Sequence, residues 1–134
     1  MPTLSVLFLR AALLYLVFGF TFGTLLLMDR AFPLHPSIWL LLPAHEEFVL
    51  VGWTVQMAMG VAFRMLPRFT ADNSRGNEAA TWLAFALLNL GVLSASLGPA
   101  LGAPGLTLLG RLAEVAGAAS FVAHAWPRVK PMGV

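Results

Sequence analysis

Four runs of about twenty apolar residues fill about two thirds of this chain, and each is long enough to cross a bilayer as an α-helix. They cover residues 4–28 (broken only by Arg10), 45–67, 80–98 and 105–126. The charge content agrees. Only 10% of the 134 residues are charged, whereas a soluble domain carries about 25%. Eight Lys/Arg and six Asp/Glu are too few to coat a globule of this size. That excludes a soluble enzyme, a disordered tail and a nucleic-acid binder. The surplus of two positive charges is no basic patch. With no cysteine there is no disulfide framework, thiolate metal site or iron–sulfur cluster. The expectation is an all-α membrane protein: one four-helix transmembrane domain over residues 1–134, in the inner membrane of a prokaryote.

The breaks between runs have physical causes. Pro33, Pro36 and Pro43 cannot sit in a helix interior. Between them, residues 37–42 are read as lying along the interface, anchored by Trp39. Residues 68–78 form the most polar stretch and read as an aqueous loop. The first run is too long for a cleaved signal peptide and has no small-residue cleavage site. Loop charge sets the expected orientation. Arg10, Arg64, Arg68, Arg75, Arg128 and Lys130 fall on one side, and only Arg30 and Arg111 on the other. That places both termini in the cytoplasm and His35, His45, Glu46, Glu47 and Arg111 toward the outer face.

Ionisable groups in a membrane are costly and are functional suspects. Glu46 and Glu47 have an ordinary reading as carboxylates in the first turn of a helix, behind Pro43. His45 heads a face that continues through Val49, Gly52, Gln56 and Gly60 at helical spacing. Glycines beneath a histidine leave a smooth groove, which suits either a closely packed helix or a flat cofactor. Spacing does not separate the two. Arg111 and Glu114 lie at i and i+3 and can pair. Arg111 is also about 9 Å below the outer end of its helix, near the depth of His45, where it could neutralise an anionic group. His124 reads as an inner-interface residue beside Trp126 and Arg128. Gly19-x-x-x-Gly23 and Ala113-x-x-x-Gly117 match the small-xxx-small pattern of tight helix association.

The run His45-Glu46-Glu47-Phe48-Val49-Leu50-Val51-Gly52-Trp53, followed by Gly60-Val61-Ala62-Phe63-Arg64-Met65-Leu66-Pro67-Arg68, resembles haem–copper oxidase subunit I. It is most similar to the cbb3-type and nitric-oxide-reductase branches and to short four-helix proteins of subunit I type. The resemblance covers about a quarter of the chain. It implies a haem b whose iron takes His45 as an axial ligand, with Gly52, Gln56 and Arg111 beside the cofactor. The large subunit has twelve helices in pseudo-threefold order, so a chain resembling one third of it implies a homotrimer in the lipid bilayer. A quinol or a cytochrome is the implied redox partner. The matching His-x-His of the large subunit is His45-x-Glu47 here, which leaves three options for the sixth position: Glu47 of a neighbouring copy, His35, or an open site able to bind gas. Copper of the oxidase type needs three histidines and is not expected. Without it, full oxidase turnover is not expected either.

The expected function is therefore electron transfer, or NO or O2 binding, at haem b. Two other classes stay open. One is a cofactor-free structural or assembly subunit. The other is a small transporter or channel with Gln56, Asn89 and Glu114 as its polar path.

Overall fold

The computed structural model describes residues 2–68 and 76–129. Arg75, Lys130 and most of the polar 68–78 loop lie outside them. Four helices among the described residues are long and apolar enough to cross a membrane, and the chain is an integral membrane protein.

Helix α1 (Thr3–Ala31) runs for 29 residues. Past its end the chain reverses, and the Asp29 carboxylate holds the turn by accepting from the backbone N–H groups of Leu34 and His35 at 2.7 and 3.0 Å. The second span starts earlier than expected. Pro36–Leu41 is continuous with the membrane helix. It is a 3₁₀ turn that feeds directly into α2 (Leu42–Glu47). Pro36 and Pro43 each sit at the start of a helical stretch, where a missing N–H costs nothing. Glu46 and Glu47 therefore end α2 rather than opening a helix, and the helix-dipole reading of them does not hold.

Beyond Glu47 the winding changes. Phe48–Val55 is π-helical, closed by bonds five residues apart. The Gln56 N–H reaches the Val51 carbonyl, and Thr54 Oγ1 donates to the Val49 carbonyl at 2.9 Å. Ordinary α winding resumes in α3 (Gln56–Met65). Nine residues of α-helix, at about 100° each, would set Glu47 and Gln56 on opposite faces. The slower π rotation returns both to the side facing the last two helices. Those are α4 (Glu78–Ala100) and α5 (Pro104–Ala125). They are joined by a tight turn at Gly102, whose φ of 62° favours glycine.

All neighbours are antiparallel. Ser5 Oγ donates to the Gly60 carbonyl at 2.6 Å, and Tyr15 packs on Gly52, so α1 runs against the second span. The α4–α5 hairpin is closer still. A Cβ on Gly110 would lie 2.5 Å from the Ala95 nitrogen, so backbone meets backbone there, as small residues permit in membranes. The apolar core gathers at one end, around Leu4, Phe8, Met59, Phe63, Leu88 and Phe121.

Arg128 closes that same end. It is 1% exposed and donates to the carbonyls of Phe63, Leu66 and Pro67 at 3.1, 2.8 and 3.0 Å. These are carbonyls that the end of α3 leaves without helical partners. Its Nη1 also donates to His124 Nε2 at 2.9 Å, and His124 Nδ1 bonds the Asn77 carbonyl at 3.0 Å. His124, in the last turn of α5 beside Arg128, is buried in a clasp with both ring nitrogens used.

Candidate functional site

The opposite end of the bundle gathers His45, Glu47, Arg111 and Glu114. Two residues after Pro43, α2 presents His45 to α1. The ring packs with its Cε1 edge nearest Gly23, where a Cβ would come within 2.7 Å of His45 Cε1. Nδ1 is 2.7 Å from the Gly19 carbonyl. A carbonyl oxygen only accepts, so Nδ1 carries the proton and Nε2 carries the lone pair. That is the arrangement in which a second contact orients a ligating histidine and leaves its other nitrogen for a metal. The Gly19-x-x-x-Gly23 pattern thus serves His45: one glycine supplies the carbonyl and the other the space.

His45 forms part of the wall of a cavity of about 380 Å³ between α1 and the start of the second span. Phe20, Leu27, Trp39 and Leu42 give it apolar sides, and Arg30 stands among them. An apolar cleft with a few convergent polar groups is the usual form of a small-molecule site. Here the polar groups are one imidazole, one guanidinium and the Thr24 hydroxyl, which is turned to the Phe20 carbonyl at 2.9 Å.

Glu47 lies on the far side of the same helix. It is 2% exposed, and its Oε2 is 2.6 Å from Arg111 Nη1. Arg111 also reaches Glu114 Oε2 at 3.5 Å. Glu114 occupies a slot opened by Gly91, whose Cβ would strike the Glu114 side chain at 2.6 Å. The two carboxyl groups are close enough to interact directly, and Glu47 Oε1 and Glu114 Oε1 have no hydrogen-bond partner. One guanidinium thus holds two carboxyl groups from different helices.

This geometry separates the residues that the sequence grouped together. Glu47 points into its own bundle and is engaged by Arg111, so it is not turned outward toward a neighbouring copy. Arg111 belongs to the carboxylate cluster and does not line the His45 cavity. Gly52 meets the Tyr15 ring at 2.6 Å from its notional Cβ, and Gly60 meets Phe8, so the groove below His45 is filled by α1. Gln56 is fully buried and approaches Asn89 Oδ1 at 3.5 Å, beside the bond from Tyr15 Oη to the same atom at 3.1 Å. Its Oε1 is unpartnered. His35 is exposed, and its Nδ1 accepts from the Ser37 N–H at 3.2 Å, capping the 3₁₀ turn.

Two cavity residues, Arg30 and Trp39, escaped sequence reasoning. Arg30 entered only the loop-charge count and Trp39 only as an interfacial anchor. The signal that could have found them is position: Arg30 lies two helical turns beyond Gly23 on α1, and Trp39 lies six residues before His45. Among the described residues no group of three or more His, Asp or Glu side chains could hold a metal ion. A bare ion therefore has no cage here, whereas a metal already held by a macrocycle needs only one histidine. Comparisons with models of protein families, with curated proteins and with solved structures found no match to this chain.

Proposed function

We propose that the chain is a haem b-binding membrane protein, with His45 as axial ligand and its cavity between α1 and the second span as the seat of the macrocycle. The observation that carries this reading is the hydrogen bond from His45 Nδ1 to the Gly19 carbonyl. It fixes the tautomer and leaves Nε2 as a donor to iron in a cavity with apolar walls. The cavity volume suits part of a macrocycle, the remainder lying toward lipid or a neighbouring chain. When bound, the haem would supply one-electron transfer or binding of NO or O2.

The chain's own residues have distinct tasks in this reading. Gly19 and Gly23 hold the imidazole plane. Phe20, Leu27 and Trp39 exclude water from the ring face. The Glu47–Arg111–Glu114 cluster ties α2 to α5 and so fixes the helix that carries His45. On the resemblance alone we also propose a homotrimer, to be checked by light-scattering mass. The charge count favours the Arg128 end as cytoplasmic, which sets His45 toward the outside.

The test is a haem titration of the purified protein in detergent, followed in the Soret region, with dithionite and CO added afterwards. The expected result is one haem per chain and its loss in His45→Ala. A His45→Ala protein that retains a full Soret band at wild-type stoichiometry refutes the ligand assignment. A wild-type protein with no Soret band after haem is supplied refutes the function. A CO shift distinguishes gas binding from six-coordinate electron transfer.

A specific observation favours a second reading. Glu47, Gln56 and Glu114 each leave a buried oxygen without a hydrogen-bond partner, and Asn89 joins Gln56 to Tyr15. Such an interior suits a small transporter with a polar path. Solute or ion flux in proteoliposomes, absent from empty vesicles, supports that alternative.

A further inference from the structure

Resting on the haem reading, we infer that Arg30 is the anion-recognising residue of the cavity and selects a macrocycle that carries free carboxylates.

The inference starts from what each cation at this end of the bundle touches. Arg111 is held at 2.6 Å by Glu47, and its second contact is Glu114. Its side chain is 55% exposed, but both contacts are carboxylates of its own bundle, and it does not line the cavity that holds His45. Arg30 is exposed in the last turn of α1 and shares a cavity wall with His45. The nearest carboxylate on its own helix, Asp29, is already turned to the Leu34 and His35 N–H groups. A ligand in the cavity therefore meets imidazole on one wall, aromatic and aliphatic surface around it, and a single guanidinium.

The order of these groups along α1 sets the orientation of the ligand. Gly19 and Gly23, at His45, lie two to three turns before Arg30, a distance of about 10–16 Å along the axis. Phe20, Leu26 and Leu27 fill the interval on the cavity wall. A flat apolar body with acidic substituents on one edge fits that layout. Its metal lies toward His45, and its acidic edge lies at the helix end. A guanidinium offers a planar fork of donors that matches a carboxylate in a bidentate, charge-assisted pair. Trp39, on the 3₁₀ turn across the cavity, closes the other side of that edge.

The experiment compares haem b with its dimethyl ester, which keeps the iron and ring and removes both acidic groups. Each is titrated into the full chain in detergent, with wild type, Arg30→Gln, Arg30→Lys and Arg64→Gln. Arg64, near the end of α3 at the far end of the bundle, serves as a charge-matched control. Far-UV circular dichroism verifies folding of every variant.

The expected result is wild-type binding of haem about tenfold or more tighter than of the ester, the value of one charge-assisted pair. Arg30→Gln removes that preference by weakening haem alone. Arg30→Lys retains part of it, and Arg64→Gln retains all of it. Equal binding of both ligands by wild type and Arg30→Gln overturns the role of Arg30 and leaves the haem reading standing. Binding of neither ligand by wild type overturns both.

Discussion

The Glu47–Arg111 contact makes a prediction with a definite size. Removing Arg111 as Arg111→Met keeps the length and apolar stem of the side chain and deletes the charge. The attraction lost is about 6 kcal/mol for unit charges 2.6 Å apart at an effective dielectric of 20. The Arg111 side chain is 55% exposed, so solvent screens about half of this, leaving roughly 3 kcal/mol. That agrees with the roughly 3–5 kcal/mol expected when one member of a buried pair is removed and its partner is stranded.

Glu47→Gln is expected to cost less, about 1–2 kcal/mol, because it removes the buried charge together with the ion pair, and Arg111 still faces Glu114 at 3.5 Å. The double variant then loses little beyond Glu47→Gln alone, for a coupling energy of about 2–3 kcal/mol. The assay is SDS-driven unfolding in mixed micelles, followed by tryptophan fluorescence and fitted for all four proteins of the cycle. A coupling energy below about 0.5 kcal/mol, or an Arg111→Met protein as stable as wild type, refutes the claim that this pair ties α2 to α5.

Three further outcomes follow from other contacts. Gly23→Ala puts a methyl group 2.7 Å from His45 Cε1; it is expected to displace the ring from the Gly19 carbonyl and lower haem affinity at least tenfold while leaving the helical circular dichroism unchanged. Gly110→Ala places a methyl 2.5 Å from the Ala95 nitrogen and is expected to cost about 3 kcal/mol by forcing α4 from α5; unchanged stability in the same SDS titration would contradict the close approach. Arg128→Lys keeps the charge but not the fork that serves three carbonyls and His124, so a loss of about 3 kcal/mol is expected despite the conservative exchange. Wild-type stability in Arg128→Lys would reduce the clasp to a point charge.

What the sequence made legible is what depends on runs and local spacing. Four spans follow from uninterrupted apolar stretches, because a bilayer filters on length and hydropathy. That the face below His45 would take a close helix or a flat cofactor was readable from Gly52 and Gly60; that α1 fills it, and that Gly19 and Gly23 meet His45, was not. The pairing of Arg111 with Glu114 was readable as an i,i+3 contact and is present at 3.5 Å. The shorter bond from Arg111 to Glu47 was not, because it joins residues 64 positions apart and no local pattern encodes it. Nor was the π winding legible. The stretch Val49, Val51, Thr54 and Val55 is rich in β-branched residues, but such residues occur as readily in an α-helix of a membrane. It is the tertiary demand to bury both Glu47 and Gln56 against α4 and α5 that the π turns meet. Arg30 was hidden for a different reason: its neighbours in the cavity come from a chain reversal set by Asp29, which a linear reading treats as loop.

The unequal lengths of the two hairpins also set what surrounds the candidate site. Helix α1 has 29 residues and α4 has 23, a difference of six residues or about 9 Å of rise. At the Arg128 end the helices finish level, since Arg128 bonds residues that close α3 and His124 bonds the residue before α4. The surplus therefore accumulates at the other end, where Leu26, Leu27, Arg30, Trp39 and Leu42 stand. The longer hairpin forms a step beside the shorter one. A molecule seated against His45 would be flanked by the overhanging ends of α1 and the second span and would stand clear of α4 and α5.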